Sequence, residues 1–353
     1  MEIDLKKIAF DLDFHPSSPI VATGLITGYV RLYHYDPESQ SQPKKLIGVK
    51  AHRKSCRAAR FIDDGRVILT ASTDHSILAT DVETGKAITR VDDAHESAVN
   101  RLINLTETTV SSGDDEGVIK VWDTRSRTCC NSFEAHEEFI SDMEFISDSK
   151  QLLGTSGDGT LSICNLRKDK VQEKSEFSED ELLSVVVMKN GRKVVCGTQS
   201  GPVLLYSWGY FKDCSDRFLG HPMSVETLLK LDEDTLISGS EDGIIRLVGI
   251  LPNRIIQPIA EHAEYPIEGL AFSHDRKFLG SISHDHMLKL WDLPSLLGDW
   301  QNGSCTKEVS RDSSDDDMDV DMPIEEDSNE NNKNKAHGGQ PSSSRHADFF
   351  ADL

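Results

Sequence analysis

No run of eighteen apolar residues occurs anywhere in the chain, which removes a membrane-spanning helix from consideration. Its first residues, MEIDLKKIAFDLDF, place acids where a secretory leader needs basic charge and lack the long apolar stretch that would follow. The expectation is a protein that stays inside the cell. Positive charge is also scarce: 38 Lys and Arg stand against 60 Asp and Glu, for a formal net charge of −22. Residues 304–353 carry thirteen acidic and five basic side chains, or −8, which leaves −14 for the body. Neither part is suited to neutralising phosphates, so direct nucleic-acid binding is not expected. Basic proteins are the partners such a field would steer. The seven cysteines are odd in number and show no CxxC spacing, which reads as reduced, structural thiols.

Ligand-binding signatures are missing too. Neither G-x-x-x-x-G-K-[ST] nor a strand-coupled G-x-G-x-x-G is present, so nucleotide binding has no support. Asp317, Asp319 and Asp321 alternate like the start of a calcium loop. Met322 stands where that loop needs glycine, however, and Ser328 where it needs glutamate. His284, Asp285 and His286 are adjacent in a turn and point in different directions, with no further ligands nearby in sequence. No metal and no cofactor are expected.

What the chain does have is an internal repeat. Each unit runs from a histidine through an apolar strand to a Ser/Thr-Gly-rich strand, then a tight turn, then a strand ending in an aromatic-Asp pair. The turn falls at Asp74, Glu116, Asp158, Ser200, Asp242 and Asp285, at spacings of 42, 42, 42, 42 and 43. The strand-end pair falls at Tyr33, Thr80, Trp122, Cys164, Tyr206, Val248 and Trp291, and the histidine at His52, His95, His136, His221 and His262. Three markers keep one register, which is the signature of stacked supersecondary units.

GDDEGVIKVWDTR and SHDHMLKLWDL carry the clearest match, and the pattern resembles the WD-repeat family. The resemblance implies an all-β, seven-bladed β-propeller over residues 1–300. Its units fall near 8–48, 49–91, 92–134, 135–176, 177–219, 220–260 and 261–300, and an acidic, disordered tail follows over 301–353. An N-terminal strand within residues 1–7 is expected to complete the last blade, with residues 293–300 as the alternative source. The resemblance further implies a buried relay of histidine, strand hydroxyl, turn aspartate and tryptophan. The full set is expected at His262, Ser283, Asp285 and Trp291. In the second unit Ser72 and Asp74 accompany His52, and in the third the hydroxyl is replaced. Because Ser, His and Asp recur in unit after unit, they read as blade-building groups rather than as a hydrolase triad, which would occur once. The chain is expected to be no enzyme.

Four further features are candidates for partner binding. Trp122, Asp123 and Arg125 resemble the motif by which WD-repeat substrate receptors dock on damaged-DNA-binding protein 1 of cullin-4 ubiquitin ligases. A guanidinium on a rim can clamp a carboxylate or carbonyls bidentately. Asn165 and Arg167 form a degraded second copy. Arg53, Lys54 and Arg57, with Arg60 close by, read as a basic island in an acidic chain and a candidate client face; the alternative is a solvated loop with Arg60 snorkelling over the blade. In the tail, Ser313 and Ser314 precede acids in a pattern that suits an acid-directed kinase, and Phe349 and Phe350 read as anchors of a short binding motif. Trp208, Tyr210 and Phe211 read as packing under a long connection after the fifth unit.

CRAARF, TSGDGTLSICNL, DCSDRF, GIIRLVGILPNRII and the terminal DFFADL are similar to one group within the repeat proteins, the WD repeat-containing protein 55 family. That resemblance implies a non-catalytic scaffold of the nucleus and nucleolus, also found in the cytoplasm. It implies either an adaptor role toward a cullin-4 ligase in development, or a scaffold for ribosomal RNA processing that binds pre-ribosomal proteins.

Overall fold

The computed structural model describes residues 1–38 and 41–302. Ser313, Ser314, Phe349 and Phe350 lie outside the described residues. Seven four-stranded antiparallel sheets follow one another along the chain. Their first strands are Ala9–Phe14, Cys56–Ile62, Val99–Thr106, Ile140–Ile146, Leu182–Met188, Val225–Lys230 and Ile267–Phe272. Each first strand packs against the next, and the last packs against the first, so the seven blades close a ring.

Closure is made by the N-terminus. Glu2–Asp4 is the outer strand of blade 7, pairing antiparallel with Met287–Asp292. The α-ammonium of Met1 donates to Leu290 O at 2.7 Å. The alternative, an outer strand from residues 293–300, is not what forms: Leu293–Asn302 is an α-helix whose Leu293 and Leu297 are buried beneath blades 6 and 7.

The hydrophobic core is distributed. Each of seven clusters spans two neighbouring blades, such as Val30, Leu32, Phe61 and Ile68 between blades 1 and 2, or Phe14, Val21, Ile282 and Leu288 across the ring closure. A single blade thus buries its faces only by stacking. This explains second and third strands that are buried almost throughout, such as Lys193–Thr198 and Leu161–Asn165, where a sheet with one wet face would alternate.

The hairpin turn between second and third strands is fixed by glycine. Gly117 has φ +78°, and a Cβ there would lie 2.3 Å from His136 O. The turn of blade 3 therefore seats the histidine of blade 4, whose N–H donates to Gly117 O at 3.1 Å. No L-side chain fits that approach.

Candidate protein-interaction surfaces

Inside the blades the histidines are structural. In blade 7, His262 Nδ1 lies 2.8 Å from Asp285 Oδ2, Nε2 lies 2.7 Å from Ser281 Oγ, and Trp291 Nε1 donates to the same hydroxyl at 2.8 Å. The carboxylate must accept, so Nδ1 carries the donating proton. The relay hydroxyl is therefore that of Ser281 and not Ser283, whose Oγ instead donates to Tyr265 O and accepts from the Asp285 N–H. Blade 3 needs the same two-residue correction. It has a full relay of His95, Ser112, Asp114 and Trp122, with His95 2.6 Å from Ser112 Oγ and 2.8 Å from Asp114 Oδ2. Its hydroxyl is present, contrary to expectation. In blade 2 the partner of His52 Nε2 is Thr70, at 2.8 Å, rather than Ser72. Blade 4 draws its hydroxyl from the third strand: His136 Nε2 meets Ser162 Oγ at 2.7 Å across Gly154.

Blade 6 breaks the relay differently. His221 Nε2 meets Ser238 Oγ at 2.8 Å, but Asp242 is held by Arg246 at 2.5 and 3.0 Å, and His221 Nδ1 is buried without a partner among the described residues. Burial, with the Arg246 charge adding to it, pushes that imidazole down to about 4. The His284-Asp285-His286 run also resolves into separate roles. Asp285 serves His262, His284 Nε2 lies 2.5 Å from Glu268, and His286 is exposed.

The first strands line a central channel, and their polar side chains close an accounting problem. An innermost strand leaves one row of backbone groups unpaired. Asp11 accepts from Ala59 N at 2.8 Å, Asp13 from Phe61 N at 2.7 Å and Asp142 from Val185 N at 3.1 Å. Ser184 Oγ donates to Val225 O at 2.9 Å, and Arg101 donates to Ser141 O. Arg60 does not snorkel over the blade; it enters the channel and pairs with Asp11. Desolvation pushes Asp13 up to about 6 despite Arg60 beside it, and Glu144 up to about 7 with Asp142 as neighbour.

At the entry of this channel each first strand carries a β-bulge in the same place, after its first residue. Bulges re-aim side chains. The seven bulged residues are Phe10, Arg57, Asn100, Ser141, Leu183, Glu226 and Glu268, and together they ring a mouth of about 330 Å³. The Arg57 guanidinium stacks on Phe10, 4.3 Å from the ring centroid, whereas Arg53 and Lys54 stay exposed in the connecting loop. The basic island is thus divided: Arg57 belongs to the mouth, Arg60 to the channel, and Arg53 and Lys54 to the loop. Sequence reasoning missed the other six mouth residues. Their signal was a position directly after a fully buried residue (Ala9, Val99, Ile140, Leu182, Val225, Ile267) that recurs once per unit.

On the opposite face, third strands end in turns to the outer strands. Asp123 Oδ1 accepts from Arg125 N at 2.8 Å and Ser126 N at 3.0 Å, and these N–H groups hold its carboxyl below the usual range. The Arg125 side chain is 74% exposed and reaches Asp123 Oδ2 only at 3.4 Å. Trp122 faces inward to Ser112. A small apolar cleft of about 70 Å³ beside the turn, lined by Ile62, Leu69, Val110, Trp122 and Arg127, opens between blades 2 and 3. Blade 4 repeats the turn: Asn165 Oδ1 accepts from Arg167 N at 3.0 Å and Lys168 N at 3.1 Å. Asn131 and Asp169, 2.7 Å apart, tie the two rims together. Between the third and outer strands of blade 5, and not after the blade, Phe211 is buried with Trp208 edge-on at 5.3 Å, while Tyr210 is exposed.

Among the described residues no group of three or more His, Cys, Asp or Glu is arranged to hold a metal.

Comparison with known proteins gives the lineage. A family model described as WDR55 matches residues 1–296. WD repeat-containing protein 55 of Arabidopsis thaliana is 65% identical over 298 residues, covering 84% of each chain. The Dictyostelium discoideum homolog is 39% identical, over 83% of this chain and 71% of its own. The human protein is 38% identical, over 84% of this chain and 77% of its own. The seven-bladed ring, its repeat register and these matches place the chain in the WDR55 family of WD-repeat scaffolds.

Proposed function

We propose that this propeller is a non-catalytic adaptor with two working faces. The turn bearing Asp123 and Arg125 docks on damaged-DNA-binding protein 1 of a cullin-4 ubiquitin ligase, and the channel mouth receives a basic protein client. The observation that carries the docking half is a turn made rigid by its own aspartate while its arginine projects, 74% exposed. A turn that is already rigid adds no backbone ordering cost when its guanidinium makes a bidentate contact, and the neighbouring apolar cleft offers an anchor point. Arg167 on blade 4 supplies a second, weaker contact. The client half rests on charge: the body carries −14, and at the mouth Asp115, Glu226 and Glu268 outnumber Arg57 and Arg101. Action in the nucleus and nucleolus, with a cytoplasmic fraction, belongs to this reading.

Arg125→Ala is expected to lower recovery of damaged-DNA-binding protein 1 in co-purification about tenfold, equivalent to roughly 1.4 kcal/mol, with no change in melting temperature. Equal recovery by both proteins would sink the docking half. A second reading is favoured by the acidic surface alone, which suits basic pre-ribosomal proteins: a nucleolar assembly scaffold with no ligase role. Cosedimentation with pre-ribosomal particles, unaffected by Arg125→Ala, selects that reading.

A further inference from the structure

Two blades lack the relay histidine, and they treat the empty position differently. In blade 1 the equivalent residue is Leu5, fully buried, which fills the slot with aliphatic carbon. In blade 5 it is Ser178. Its N–H donates to Gly159 O at 2.9 Å, the bond that His52 makes to Gly28 O and His262 to Gly243 O. The backbone therefore holds histidine's place without an imidazole. Beside Ser178 lies a cavity of about 350 Å³. Its floor is Thr198, Leu204 and Tyr206, and Tyr206 is the counterpart of the relay tryptophans Trp122 and Trp291. The buried Tyr206 ring presents an aromatic surface to the cavity.

The opening of this cavity is also distinctive. The outer strand of blade 5, Asp216–Phe218, spans three residues and pairs only with Val203–Leu205. The flank beyond it is crossed by residues 208–215, tied down where Glu176 N donates to Lys212 O at 2.8 Å. Phe177 stands at the rim, 74% exposed. Glu176, Glu179, Asp180 and Asp213 surround it, against two cations, Lys212 and Arg217. None of the four carboxylates makes an ion pair among the described residues. Asp180 is instead hydrogen-bonded to Ser200, the residue at this blade's relay-aspartate position.

We propose that this cavity on blade 5 is a binding site for an arginine side chain of a protein partner. Its guanidinium would enter between the surrounding carboxylates to the Tyr206 ring, and its apolar stem would lie against Phe177 at the rim. A planar, weakly hydrated cation with aliphatic length is the group that an aromatic-walled hole with an acidic mouth recognises. A purely apolar side chain would leave the carboxylates unserved, and an acidic one would be repelled. The site is independent of the channel mouth and of Arg125.

The test uses the full chain and a fluorescein-labelled Gly-Arg-Gly-Arg-Gly-Arg-Gly peptide, read by anisotropy. Ser178→His, read at about pH 8.5 so that the added imidazole is neutral, inserts a ring into the cavity and leaves the surface charges in place. It is expected to raise the Kd at least fivefold, and the lysine version of the peptide should bind the parent several-fold more weakly. Glu176→Gln with Asp213→Asn alters two exposed residues that no core contact needs. It should weaken binding fivefold or more, whereas Glu83→Gln with Glu134→Gln, on blades 2 and 3, should change the Kd less than twofold. Undiminished binding by Ser178→His, with its melting temperature intact, would overturn the proposal by showing that the general acidic surface holds the peptide. So would equal losses from the two charge pairs, a comparison that stands even if Ser178→His fails to fold.

Discussion

Blades 5 and 7 have the same four-strand plan and the same register, yet they are held together differently. In blade 7 an imidazole with no exposed surface joins Asp285, Ser281 and, through that hydroxyl, Trp291. The relay ties the loop entering the blade to its second and third strands and to the turn between them. In blade 5 the corresponding positions are Ser178, Ser200, Cys196 and Tyr206. The blade stands on apolar packing against its neighbours, through Val185, Val194, Cys196 and Leu204 on one side and Val186, Val195 and Leu205 on the other. A propeller blade therefore does not require the relay. Where the flanking interfaces are well filled, the polar network can be dispensed with, and the space it vacates becomes available for binding.

The comparison can be broken by measurement. The largest effect expected is that of His262→Ala, which strands the buried Ser281 and Asp285 groups and leaves a hole. A loss of about 3 kcal/mol in denaturant unfolding follows from the usual penalties for orphaned buried partners. Ser178→Ala in blade 5 should cost less than about 0.5 kcal/mol, as for a residue outside any such network. Similar losses at the two sites would show that the relay is not what distinguishes the blades. An intermediate effect belongs to Trp291→Phe, which keeps the ring packing but removes one donor. About 1 kcal/mol is expected from a single hydrogen bond, and a loss within error would mean that the indole N–H is incidental.

One further effect is a slope with pH, and it sits in blade 6. The His221 imidazole, at about 4 in the fold against 6.5 in the unfolded chain, is protonated first in the unfolded state as pH falls. Its contribution to stability is therefore complete above pH 6.5 and drains away between 6.5 and 4. The melting temperature of His221→Gln should fall less steeply than the parent's across that window. Parallel curves would show that the unpartnered Nδ1 carries no linkage.

The ring of seven was legible because its markers recur at fixed spacing, and spacing survives the loss of any one residue. Ser283 and Ser72 show where that legibility ends. A strand side chain and the one two residues earlier share a face, so periodicity alone cannot choose between Ser281 and Ser283, or between Thr70 and Ser72. Only the height of the imidazole above the strand decides. The same ambiguity separates Asp114 from Glu116, and in blade 4 the hydroxyl comes from another strand altogether because Gly154 has none to offer. Arg60 was misplaced for a related reason: the bulge after Cys56 turns the rest of the strand, which sends a residue expected on the outside into the channel. The channel-mouth ring and the blade 5 cavity depend on which atoms face one another across blades, information that is not local in the chain.

The pairing of Glu2–Asp4 with Met287–Asp292 has a consequence for how the molecule comes into being. The earliest strand of the ring must wait for a partner made almost three hundred residues later. Until then a half-finished ring offers two unlatched sides, each with the backbone and apolar surface of a missing neighbour. Contacts this remote are slow to establish. Nascent chains are thus most vulnerable to mispairing, and most in need of chaperone cover, in the interval just before the final blade leaves the exit tunnel.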